Sequence, residues 1–185
     1  MKTSLKVLKS AVIFTLLILL YSCSASFDFL GVGKVVKPEE IKHYEPQGAL
    51  VAVTIDCSHY LLASYVQLQL YDTSSFSMYT PLENNYVILD VSYKCTGISR
   101  TGMIYDTQLP EEWFDNSCRF RLESNKVNYL GRFEFVQNTM ITTRDKMTVT
   151  NTLEKDIKWF LEYYPTLSNT EFISVPVANG SFFVQ

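Results

Sequence analysis

Histidine is nearly absent from this chain, with two in 185 residues, His43 and His59. The four cysteines, at 23, 57, 95 and 118, show no C-x₂₋₄-C spacing, and the two histidines are too far apart for H-x₃₋₅-H. A zinc set is therefore not expected, and neither is any cofactor. Seven glycines and six prolines are too few for a collagen-like or low-complexity chain. Clustered basic residues are also lacking. The formal charge is −3, and leaving out Lys2, Lys6 and Lys9 gives thirteen basic against nineteen acidic residues, a charge of −6. Such a chain is poorly suited to nucleic-acid phosphates or to electrostatic docking on anionic lipid. Finally, no apolar run reaches the ~20 residues that a spanning helix needs.

What is present begins with a leader. Residues 1–10 carry three lysines and no acid, and "AVIFTLLILL" (11–20) is an apolar core. The apolar stretch ends at Tyr21, and the small residues Ser22, Cys23, Ser24, Ala25 and Ser26 follow. This is the three-part plan of a secretory signal. Leu20-Tyr21-Ser22-Cys23 resembles the lipobox of bacterial lipoproteins, with Tyr21 in place of the usual smaller residue. The resemblance implies cleavage before Cys23, a diacylglyceryl thioether on it and an acylated amine. Several acyl chains anchor stably where one is marginal. The expected location is a bacterial cell envelope, on the periplasmic side or the cell surface, with the membrane as partner. An uncleaved signal anchor is the alternative reading.

Residues 24–48 keep no helical or strand period, so residues 23–48 read as a lipidated terminus and tether, with the domain occupying 49–185. Strand-like alternation then appears at 49–57, 65–72, 85–95, 117–124, 127–138, 146–152 and 171–177. Gly131 sits inside the fifth of these as a possible bulge. One segment has helical spacing: Leu153, Ile157, Phe160, Leu161 and Tyr164, with Thr152 before it and Pro165 after it. The expectation is a mainly β domain, an antiparallel β-sandwich or flattened barrel of about seven strands with one helix near 152–164. In its layout the chain resembles small β-sandwich domains of uncharacterised bacterial lipoproteins. The features that carry this are Pro81 through Tyr86-Val87-Ile88, Tyr129-Leu130-Gly131-Arg132-Phe133 and Tyr163-Tyr164-Pro165. That resemblance implies no catalytic residues.

With Cys23 lipidated, three cysteines remain, all on apolar strand faces. If strands 85–95 and 117–124 pair antiparallel, Cys95 and Cys118 lie level and form a disulfide worth ~3 kcal/mol. Three buried thiols is the plainer alternative, and a bridge from Cys57 to either of the others is the third. Chemistry is sparse. In "DCSH" (56–59), strand geometry sends Cys57 and His59 to one face and Asp56 and Ser58 to the other. "CTGISRTG" (95–102) reads as a hairpin loop. "LPEEWFDNS" (109–117) sets Glu111, Glu112 and Asp115 around Trp113, paired carboxylates that a carbohydrate-active hydrolase would use. A loop plugging an aromatic into the sandwich is the ordinary reading. Tyr71, Phe76, Tyr79 and Tyr86 line a Ser/Thr-rich connection and form a possible binding patch for a protein or glycan. The expected role is non-enzymatic: a lipid-anchored domain that binds or scaffolds.

Overall fold

A computed structural model describes residues 34–41, 46, 48–59, 65–71, 76–79, 85–104, 112–137, 145–175, 177 and 179–184. Cys23 and the rest of the leader lie outside these residues. In chain order the elements are β1 (Lys34–Val36), β2 (Ala49–His59), β3 (Tyr65–Leu70), β4 (Phe76–Tyr79), β5 (Tyr86–Val91), β6 (Gly97–Ile104), β7 (Glu112–Phe114), β8 (Cys118–Arg119), β9 (Val127–Val136) and β10 (Lys146–Thr150). Helix α1 (Leu153–Tyr163), a 3₁₀ turn (Pro165–Asn169), β11 (Phe172–Ser174) and β12 (Gly180–Phe183) follow.

Two sheets and one helix make three layers. The first sheet runs β1-β5-β2-β9-β10-β12, and β11 shares an edge of β9 with β10. The second runs β4-β3-β6-β7, with β8 also on β6. Period two explains how the first sheet serves two layers. On β2, Val51, Val53 and Ile55 point into the core between the sheets, while Ala52 packs under the helix. On β5, Val87, Leu89 and Val91 point inward and Ile88 points to the helix. Phe114 of β7 and Phe135 of β9 meet across the inter-sheet core edge-to-face, 5.6 Å apart. At one margin the sheets touch, through a bridge between Phe114 and Val184.

Helix α1 covers part of the outer face of the first sheet. Phe160, Tyr164 and Leu167 are buried against Ala52, Ile88, Val127 and Tyr129. Burying a side chain as large as Phe160 is worth ~2–3 kcal/mol. The helix starts where Asn151 Oδ1 accepts the Leu153 N–H at 3.3 Å, and Glu154 and Asp156 in its first turn favour the N-terminal dipole. It ends at Pro165, which opens the 3₁₀ turn. The Tyr164 hydroxyl lies 3.2 Å from the Val36 carbonyl and 3.4 Å from that of Tyr86, tying this end to β1 and β5.

The mainly β architecture with one helix agrees with the pattern, and several details correct it. The fold does not begin near residue 49: β1 pairs with β5, and Val36 is fully buried, so part of the expected tether belongs to the sheet. Two pairings are parallel rather than antiparallel, β2 with β9 and β9 with β11. The expected hairpin loop 95–102 mostly enters β6, which is central in the second sheet. No disulfide joins Cys95 and Cys118, and Cys57, Cys95 and Cys118 are all thiols. The reason is topological. Cys95 lies past the end of β5, in the turn before β6, and the β6–β8 pairing sets Cys118 opposite Ile98, three positions beyond Cys95.

Candidate functional site

The strongest polar cluster lies where α1 meets the first sheet, and a bulge assembles it. Gly131 has φ 125°, a conformation that suits glycine, and a Cβ there would stand 2.9 Å from the Thr150 carbonyl oxygen. The β2–β9 register shifts at this point, Ala52 pairing with Tyr129 and Val53 with Gly131. Alternation is thereby reset. Leu130 and Phe133 both face the inter-sheet core, and Tyr129 and Arg132 both reach the helix side.

There they meet Asp156, which is 1% exposed. Its Oδ1 accepts from the Arg132 guanidinium at 2.7 Å. Its Oδ2 accepts from Thr152 at 2.6 Å, Tyr129 at 2.7 Å and Thr54 at 3.0 Å. The other end of the Arg132 guanidinium stands 3.5 Å from Asp56 Oδ2, and it also engages the Tyr86 hydroxyl. Burial alone would raise the Asp156 carboxyl, but the bonds from Arg132, Thr152 and Tyr129 more than offset it, and the group is held below its usual range. Burial and the bond to Asp156 push the Tyr129 hydroxyl up to about 12. A carboxylate with four donors on its two oxygens has little capacity left to take a proton from a substrate. The arrangement is a brace that fixes the helix to the sheet, and Arg132 balances its charge.

Beside the brace opens a cleft of about 540 Å³, walled by Thr152, Glu154, Lys155, Lys158 and Trp159 and floored by Arg132 with Asp156. Its size is within the range of small-molecule sites. Trp159 is 39% exposed, as is Tyr163. Tyr86 stacks with each of them, its ring centroid 6.3 Å from Trp159 and 6.0 Å from Tyr163. The Lys158 ammonium sits 4.7 Å from the Trp159 ring centroid.

Of the expected binding patch, Tyr71 and Tyr86 are not brought together. Tyr86 belongs to this helix-side cluster, whereas Tyr71 follows β3 in the second sheet. There it lies under the Arg119 guanidinium at 3.6 Å and its hydroxyl bonds Ser117 at 2.7 Å. Phe76 and Tyr79 are on β4, and their side chains lie outside the described residues. The 109–117 segment is only in part a loop, because Glu112–Phe114 is β7. Trp113 pairs with Gly102 of β6, and its indole would be 2.7 Å from a Cβ there. The ring thus rests flat over the glycine, an aromatic rescue of a bare sheet position. Arg100 covers it at 3.8 Å and bonds Gln69 at 2.5 Å. Glu111 lies outside the described residues. In "DCSH", Asp56 Oδ1 accepts from the Ser58 amide at 3.1 Å and hydroxyl at 2.7 Å. Burial and the neighbouring Asp56 push the Cys57 thiol up to about 12, which leaves it without thiolate character.

Sequence reasoning missed Asp156 and Arg132, yet a signal existed. Asp156 is three residues after Leu153 and four before Phe160, so it lies on the apolar stripe of α1. An acid on such a stripe needs a partner in the sheet. Among the described residues, no group of three or more His, Cys, Asp or Glu could hold a metal ion. No helix among them is long and apolar enough to cross a membrane. No protein-family model matches the chain, and neither a curated protein nor a solved structure matches it.

Proposed function

We propose that this chain is a lipid-anchored protein of a bacterial cell envelope, held by acyl groups on Cys23, whose two-sheet domain binds or scaffolds rather than catalyses. The observation that carries the anchor is Leu20-Tyr21-Ser22-Cys23, placed directly after an apolar core too short to span a bilayer. The saturated Asp156 supports binding over catalysis, since the best-placed acid is committed to holding the helix. The cleft beside it is the surface offered to a ligand.

Mass spectrometry of the membrane fraction tests the anchor. An N-terminal Cys23 peptide bearing acyl groups is the expected result, and Cys23→Ala should release the protein from detergent-phase partitioning. Mature protein that keeps Met1 would sink the reading in favour of an uncleaved signal anchor.

A further inference from the structure

We infer that the cleft along α1 is a binding site for an acidic saccharide, a sugar ring carrying a carboxylate or phosphate. The inference rests on the binding role proposed above and adds the ligand's chemistry. Three properties of the walls select it.

Charge comes first. Lys155 and Lys158 line one wall, and neither has an ion-pair partner among the described residues, Lys158 resting over the Trp159 ring at 4.7 Å. In a chain with net charge −3 this is a local cationic spot. Ammonium groups bind carboxylate or phosphate oxygens as point charges without demanding one fork geometry. Arg132 adds little to this, because Asp156 and Asp56 already balance it.

Hydrogen bonding comes second. Glu154 and the Thr152 hydroxyl share the wall with the lysines. A bare inorganic anion has no use for a carboxylate neighbour and is repelled by it. A ligand with hydroxyl groups donates to Glu154 while it accepts from the lysines. Only a molecule that carries both an anionic group and several hydroxyls uses the whole wall.

Apolar surface comes third. The Trp159 indole is half-exposed and is braced from behind by Tyr86. A rigid, backed aromatic offers contact area at low entropic cost. The C–H face of a sugar ring matches the part of the indole that Lys158 leaves open, whereas a compact phosphate does not cover it.

The chain holds two tryptophans, Trp113 and Trp159, so the full-length protein labelled with 5-fluorotryptophan in detergent micelles gives two ¹⁹F signals, assigned by Trp159→Phe. Trigalacturonate is the first probe. A second arm uses vesicles carrying glucuronosyl diacylglycerol, since the same chemistry could reach the cleft from a free glycan or from a lipid headgroup. The expected result is a saturable shift of the Trp159 signal alone, with the Trp113 signal unmoved as a control for intact folding. Lys155→Ala/Lys158→Ala should weaken binding about tenfold, the loss of two exposed charge contacts. A lysine-dependent response in either arm supports the inference, and the responding arm names the source.

Equal binding of the methyl-esterified trisaccharide would overturn the acidic requirement while leaving a binding role in place. An equal response to inorganic phosphate or to a short polyglutamate would overturn the saccharide. No response of Trp159 to either probe would overturn the inference altogether. Acylation of Cys23 is read separately, so failure here does not remove the anchor.

Discussion

Two faces of this domain each immobilise an arginine, and they do it in opposite ways. On the helix side of the first sheet, Arg132 is half-buried and bonded to a carboxylate that is almost wholly buried. On the outer face of the second sheet, Arg100 is exposed, stacked on Trp113 and bonded to Gln69. The same side chain serves as charge balance in one place and as a cover for an aromatic in the other. The difference teaches that burial, more than contact number, sets what each is worth. Removing one member of a buried pair leaves the other uncompensated, whereas water takes the place of an exposed partner.

The comparison can be broken most sharply at Asp156. Asp156→Ala strips Arg132 of its main partner and leaves the hydroxyls of Thr54, Thr152 and Tyr129 without their acceptor. It should cost about 3–4 kcal/mol in urea unfolding. A loss under 1 kcal/mol would show that the brace contributes little. Next comes Gly131→Ala, which forces φ 125° on a side-chain residue and presses a Cβ toward the Thr150 carbonyl. About 2 kcal/mol is expected from thermal or denaturant unfolding, with a disturbed Tyr129–Arg132 phase visible as loss of hydrogen-exchange protection at the start of α1.

Acid sharpens the contrast. The carboxyl of Asp156 is held below its unfolded value near 3.9. Its contribution is therefore complete above that value and fades as pH falls through the lower folded one. Denaturant midpoints measured from pH 6 down to pH 2 should drop more steeply for the wild type than for Asp156→Asn, which carries no titrating group there. Parallel curves would place the acid sensitivity elsewhere. The smallest effect belongs to Arg100→Ala, about 0.5–1 kcal/mol for an exposed cation over an indole. A cost matching that of Asp156→Ala would erase the distinction between the two faces.

Much of this fold was legible along the chain, because alternation and helical spacing are local. The runs of β2, β3, β5, β9 and β10 read correctly, as did α1 and the Gly131 bulge. β6 did not, since Gly97 and Gly102 made it look like a turn. Gly102 is in fact the floor for Trp113, a ring that arrives from another strand. β1 was hidden for a similar reason. Three residues, Lys34–Val36, are too few to show a period, and they become a strand only because β5 has an open edge.

The sequence by itself determined that this chain is mainly β with one amphipathic helix, poor in metal ligands, with an apolar segment that stops at Tyr21, two residues before Cys23. Those properties follow from residue type and spacing alone. Tertiary structure decided which elements became neighbours. It set β2 beside β9 in parallel, left Cys95 and Cys118 out of register with each other, sent Tyr71 and Tyr86 to different sheets, and joined Asp156 to an arginine 24 residues away. Pairing of distant strands depends on packing and closure across the whole chain, and a two-residue alternation carries no record of its partner.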